Sequence, residues 1–136
     1  MEKKKILIVD NDLAVCILVN AIVKKIGYES VIATDVHKAI EILKKDEKIF
    51  LVITDVHMPF INGITLVEEI WQHFSYLKVI VMTSDISDEI LSMKNRLHAV
   101  VEKLDLFHSL TCILKRLDSE KNGFVRDLRK SFDSTT

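Results

Sequence analysis

The stretch Ile49-Phe50-Leu51-Val52-Ile53-Thr54-Asp55-Val56-His57-Met58-Pro59-Phe60-Ile61-Asn62-Gly63 decides how the chain is read. Ile49 to Thr54 is almost continuously apolar, with none of the polar alternation of a strand wetted on one face. It reads as a strand buried on both sides. The run stops on an acid, Asp55. Met58 to Gly63, which holds Pro59, the single proline of the chain, reads as a loop.

The same unit recurs outward in both directions. Ile6 to Val9 is a short apolar run ending at Asp10-Asn11-Asp12. Asp12 caps a helix to about Ile26, and Gly27 stops it. Tyr28 to Ala33 reads as a second strand. Thr34 or Asp35 caps a second helix, with Val36, Ala39, Ile40 and Leu43 at helical spacing. After the loop, Ile64 to about Phe74 is helical. Leu77 to Met82 is a strand ending in Thr83-Ser84, and Ser84 or Asp85 caps a helix to about Asn95. Ala99 to Glu102 is a short strand ending at Lys103. Leu104 to Leu117 is a helix with Leu106, Leu110, Ile113, Leu114 and Leu117 on one stripe.

Five βα units with continuously apolar strands predict an α/β fold, a doubly wound five-stranded parallel sheet with helices on both faces. Ligands of such sheets bind beyond the carboxyl ends of the strands. Residues 1–118 form the predicted domain, and 119–136 an extension of the last helix or a tail. On helix 1, Val15, Leu18, Val19, Ile22 and Ile26 make the predicted inward stripe. Leu13, Cys16, Ile17 and Val23 are left on other faces, where they are either buried in the ordinary way or form the surplus apolar surface of a partner or dimer site.

Composition removes several function classes. Nineteen Lys+Arg against twenty Asp+Glu give a net charge of −1, with no basic excess for nucleic acid. Three glycines, Gly27, Gly63 and Gly123, cannot form a glycine-rich phosphate cradle. The scattered histidines lack zinc-site spacing. Cys16 and Cys112 read as free, helix-packing thiols of a reducing compartment, and Trp71 as packing on helix 3. The longest near-apolar stretch, Leu13 to Val23, is too short for a membrane span. Asp10 ends the N-terminal apolar run too early for a signal peptide. The expectation is a cytoplasmic protein that binds neither membrane nor nucleic acid.

The polar residues at the strand ends share one rim by topology: Asp10, Asn11 and Asp12 after strand 1, Asp55 after strand 3, Thr83 after strand 4, Lys103 after strand 5. Acids hold a hard divalent cation, Mg²⁺, through oxygen. A lysine and a hydroxyl receive an anion. A carboxylate between them can attack a phosphoryl group.

These motifs, I-L-I-V-D-N-D, L-V-I-T-D-V-H-M-P-F-I-N-G, V-I-V-M-T-S and V-V-E-K, resemble the receiver domain of two-component response regulators over about residues 3–118. The resemblance implies a CheY-like, flavodoxin-like strand order 2-1-3-4-5. It implies Asp55 as phosphoacceptor, with Asp10, Asn11, Asp55 and the backbone carbonyl of His57 around Mg²⁺. Thr83 and Lys103 would meet the phosphoryl oxygens. The donor would be a histidine kinase or a histidine phosphotransfer protein, docked at the start of helix 1. The protein would then be a signalling switch rather than an enzyme, catalysing only its own phosphotransfer and dephosphorylation, with an unknown output protein.

The chain departs from the family pattern at Asn11, which stands for an acid, at Val100 for an aromatic, at Leu104 for a proline, and at Arg96-Leu97 for Gly-Ala before strand 5. Asn11, Val100 and Leu104 keep open a degenerate receiver that binds partners without phosphorylation. An Mg²⁺-dependent hydrolase using Asp55 is a further alternative, although its usual D-x-D is here Asp55-Val56-His57.

Overall fold

The computed structural model describes residues 4–57 and 63–121. The strands are β1 (Lys5–Val9), β2 (Glu29–Ala33), β3 (Ile49–Asp55), β4 (Lys78–Thr83) and β5 (Ala99–Glu102). The helices are α1 (Leu13–Ile26), α2 (Val36–Lys45), α3 (Gly63–His73), α4 (Asp88–Met93) and α5 (Leu106–Lys121). The sheet is parallel throughout, in the order β2-β1-β3-β4-β5. This is the fold class and strand order expected from the sequence.

The continuous apolar runs have a direct structural cause. Side chains alternate between the sheet faces, and both faces are covered. Ile6 and Ile8 of β1, Leu51 and Ile53 of β3, and Ile80 and Met82 of β4 pack beneath α1 and α5. Leu7 and Val9, Val52, and Val79 and Val81 pack against α2, α3 and α4 on the other side. In the central strands β1, β3 and β4 the buried positions stay apolar until the last two residues, so the polar side chains that follow gather on one edge.

The helix starts follow side-chain chemistry. Asp12 accepts from the Ala14 N–H at 2.9 Å and caps α1. Asp35 accepts from Lys38 at 2.8 Å and caps α2. Gly27 ends α1 at φ 111°, a left-handed conformation that favours glycine, and its N–H bonds the Lys24 carbonyl at 3.0 Å.

Several expectations are corrected. α4 starts later than Ser84 or Asp85: Ser87 is its cap, and α4 gives way to a 3₁₀ turn over Lys94–Arg96. The reason lies in Thr83, whose hydroxyl takes up the Asp85 backbone. A 3₁₀ turn over Lys103–Asp105 precedes α5, so that helix begins at Leu106 rather than Leu104. β2 begins at Glu29 and β4 at Lys78, each one residue late. Cys112 is exposed, and only Cys16 is a packed thiol.

The buried stripe of α1 is Cys16, Val19, Ile22 and Val23, while Leu18 is exposed and Val15 and Ile26 are half-buried. A helix apolar nearly all round leaves its rotation undecided by sequence. Half-buried Trp71 packs against the α2–α4 core, with the Arg96 guanidinium 3.8 Å above its ring. Of the predicted loop, Met58 to Asn62 lie outside the described residues, as do 122–136 of the predicted tail.

Tyr28 ties the two ends of the α1–α5 layer together: its hydroxyl donates to Asp118 Oδ1 at 3.1 Å. Burial, and then the Asp118 charge and hydrogen bond, push the phenol up to about 12. The folded phenol keeps its proton after the unfolded one, with an ordinary value of about 10, has lost it. Its stabilising contribution is therefore whole below about pH 10 and is lost as pH rises through about 12. An absorbance titration is expected to show a tyrosine ionising near pH 12, and Tyr28→Phe removes that late step.

Candidate functional site

Register explains why distant residues meet. β1 and β3 are neighbours, with Val9 level with Thr54, so Asp10 and Asp55 leave the sheet side by side. Thr83 closes β4 beside them, and Lys103 follows β5. Asp10 and Thr83 are fully buried and Asp55 is 3% exposed.

The Lys103 ammonium lies 2.8 Å from Asp10 Oδ2 and 3.3 Å from Asp55 Oδ2. Burial opposes its charge. The contact with Asp10 and the charges of both carboxylates outweigh that, holding the ammonium above its ordinary value. The two carboxylates are pinned alike. Asp10 Oδ1 accepts from the Asp12 N–H at 2.9 Å, and Asp55 Oδ1 accepts from the His57 N–H at 3.1 Å. Each thus turns its other oxygen into the crevice. For Asp10 Oδ2 the lysine contact is one of charge without hydrogen-bond alignment, so this buried oxygen has no aligned donor.

Thr83 faces another way. Its hydroxyl donates to the Asp85 carbonyl at 2.7 Å and accepts from the Asp85 N–H at 3.1 Å. Asn11 and His57 are exposed on the rim. Beneath the site, the Cys16 thiol donates to the Asp10 carbonyl at 3.3 Å. Burial, and then the Asp10 charge, push it up to about 11, so it buttresses the site as an unreactive thiol.

Asp10, Asp55 and Lys103 are therefore in direct contact, Thr83 is adjacent and turned aside, and Asn11 and His57 are placed on the rim. Sequence reasoning missed Asp85 as the hydroxyl's partner and Cys16 as the buttress. Thr83-Ser84-Asp85, a hydroxyl two residues before an acid in a loop, was the available signal for the first.

A metal ion fits this donor set. The unaligned buried Asp10 Oδ2, the Asp55 carboxylate, the Asn11 amide and the His57 carbonyl are all oxygens, suited to Mg²⁺, which keeps several waters. Among the described residues, no group of three His, Cys, Asp or Glu gathers as a metal cluster.

Comparison with known proteins gives the same class. The response regulator receiver domain model matches residues 6–106, and the chain belongs to that family. It is 33% identical over 84 residues to the sporulation initiation phosphotransferase F of Bacillus subtilis, covering 62% of this chain and 67% of that protein. It is 34% identical over 88 residues to a putative two-component response regulator of Arabidopsis thaliana. That match covers 64% of this chain but only 14% of the plant protein's length. Among solved structures, it superposes on a response regulator of Thermotoga maritima in complex with Mg²⁺-BeF, with a TM-score of 0.74 and 28% identity. That match covers 84% of this chain and 98% of the other. A signal receiver domain from Pseudomonas fluorescens, 22% identical, shares the fold at TM-score 0.78, over 90% of this chain and all of that one. The chain is a response regulator receiver domain, a module of two-component signalling. Among the described residues, no helix is long and apolar enough to cross a membrane.

Removing Lys103 leaves two adjacent buried carboxylates without their counter-charge. Lys103→Met is expected to lower stability by about 3 kcal/mol. Asp10→Asn, which also removes the repulsion, is expected to cost less. Paired denaturant melts without divalent cation decide the order.

Proposed function

We propose that this domain accepts a phosphoryl group on Asp55 from a phosphohistidine donor, with Mg²⁺, and signals by altered partner binding. The observation that carries this reading is the Lys103 ammonium held between Asp10 and Asp55, with one oxygen of each carboxylate turned into the crevice.

Asp55 Oδ2 attacks phosphorus, and a P–O bond forms as the P–N bond to the donor imidazole breaks. The imidazole leaves with the bonding electron pair and takes a proton. Lys103 then exchanges its contact with Asp55 for one with the new phosphoryl oxygens. Thr83 must give up its bonds to Asp85 to donate to the phosphoryl group. Mg²⁺, when bound by Asp10, Asn11, Asp55 and the His57 carbonyl, supplies charge neutralisation. The donor is a histidine kinase or histidine phosphotransfer protein, and the compartment is the cytoplasm. Residues 1–118 constitute the receiver, and the chain is a switch rather than an enzyme acting on an external substrate.

A second reading, partner binding without phosphorylation, is favoured by Asn11 and by Val100, a short half-buried side chain on β5. Acetyl phosphate with Mg²⁺ followed by intact mass separates the two. The expected product carries one labile phosphoryl group that Asp55→Ala lacks. No adduct from either small donors or a phosphohistidine protein would establish the second reading.

Asn11 offers an oxygen without charge, and Lys103 competes for Asp10. Mg²⁺ binding is therefore expected to be weak, and Asn11→Asp to tighten it by on the order of tenfold. A titration followed by Trp71 fluorescence measures both, and equal affinities would refute the role given to Asn11.

A further inference from the structure

Two side chains able to ligate a metal stand together on α5, apart from the phosphoacceptor crevice. His108 and Cys112 are four residues apart, about one turn of the helix, so they share a face. Both are exposed, and Cys112 Sγ lies 3.9 Å from His108 Nε2. Packing does not account for the pair, since neither side chain is buried. A thiol is also a weak donor, so the contact contributes little as a hydrogen bond.

The spacing suits chelation. Tetrahedral Zn²⁺ takes thiolate sulfur at about 2.3 Å and imidazole nitrogen at about 2.0–2.1 Å, which sets two such ligands about 3.6 Å apart. The pair therefore has to close by only about 0.3 Å, which two exposed side chains reach by small rotations. The donor types select the ion. Thiolate and imidazole favour Zn²⁺, whereas Mg²⁺ takes oxygen, as in the crevice. Asp105, exposed one turn before His108, already accepts from the Ser109 hydroxyl at 2.7 Å. The imidazole and the thiol are thus the donors that this face leaves to a metal.

We propose that His108 Nε2 and Cys112 Sγ chelate one Zn²⁺ ion on the exposed face of α5, with water completing its tetrahedron. The thiol proton passes to solvent as the Zn–S bond forms, and the neutral imidazole binds through its nitrogen lone pair. Two protein ligands, against the four of a structural zinc site, set the strength. The dissociation constant is of micromolar order rather than nanomolar. Neither residue is among those assigned to phosphoryl transfer, so the site stands independently of that reading.

Co²⁺ in place of Zn²⁺ reads the sulfur directly, because a thiolate ligand gives a near-ultraviolet sulfur-to-cobalt charge-transfer band. Metal held by the oxygens of the crevice gives none. Titrating the full chain is expected to saturate the band at one equivalent per chain. Zn²⁺ is expected to displace Co²⁺ and abolish the band, and millimolar Mg²⁺ to leave it. His108→Ala is expected to weaken Co²⁺ binding by on the order of tenfold or more, since even the outer-shell partners of a ligand change metal affinity by about 10–100-fold. Cys112→Ser removes the band. Both positions are exposed, so the metal-free variants keep the parent's circular dichroism spectrum and melting temperature. Alkylation gives a second readout. Cys16 is buried and Cys112 exposed, so iodoacetamide adds one carbamidomethyl group to the native chain by intact mass. Saturating Zn²⁺ is expected to slow that addition by on the order of tenfold or more. A chain without the band at millimolar Co²⁺ overturns the proposal. So does a band that persists in Cys112→Ser, one formed as tightly in His108→Ala as in the parent, or an alkylation rate indifferent to Zn²⁺.

Discussion

One ammonium shared by two buried carboxylates is the interaction on which the rest of this structure depends. Asp10 and Asp55 are placed side by side by the β1–β3 register, where their like charges repel. Their counter-charge comes from far across the sheet. Strands lie about 4.8 Å apart, so β5 is about 10 Å from β3 and about 14 Å from β1. A lysine stem covers much of that distance, and the 3₁₀ turn over Lys103–Asp105 starts on the lysine itself. The three charges hold three strand ends in register at the edge where no apolar packing is available.

The arrangement is preorganised for charge arriving from outside. The N–H groups of Asp12 and His57 fix the two carboxylates before any ligand comes, and the cost of ordering them is met in folding rather than in binding. Thr83 is the exception. Its two bonds to Asp85 give it a resting position away from Asp55, so a ligand at Asp55 has to compete with a satisfied local turn. A shift of this kind extends only as far as differential contacts carry it. Beyond Thr83 the neighbouring strand offers Val100, a β-branched residue with one dominant rotamer and no ring to reposition. On the other side of β4, α4 is six residues long and gives way to a 3₁₀ turn.

The fold was legible because a doubly covered parallel sheet writes an unusually plain pattern. The β1 and β3 runs tolerate no polar residue before their ends, and the sheet order followed from family resemblance rather than from periodicity. The membership of the candidate site was legible for the same reason, since strand ends on one edge must converge. Its internal bonding was not. That Thr83 turns to Asp85, and that Cys16 supports Asp10 from below, depends on rotamers and loop dihedrals that spacing does not encode. The α4 start was misplaced because Ser84, Asp85 and Ser87 are all competent caps. Choosing among them required knowing that the Asp85 backbone was already bound to the Thr83 hydroxyl.

Helix α1 shows the opposite case, in which sequence reported a fact but not its geometry. The surplus of apolar residues was visible, but apolar side chains at nearly every position gave the rotation no unique answer. The sheet resolved it by taking Cys16 and Val23 inward, into the core with Ile6 and Ile8, and leaving Leu18 outside. Volume explains this choice: Cys16 is small enough to sit under the Asp10 carbonyl at 3.3 Å, where leucine would clash, and its thiol satisfies an oxygen that leucine could not. Core packing of Val19, Ile22 and Val23 and the thiol contact beneath Asp10 therefore favour the same rotation of α1. That rotation in turn exposes Ile17 and Leu18 beside Phe107. The face that meets the core through Cys16, Val19, Ile22 and Val23 and the apolar face left outside are two sides of that one rotation.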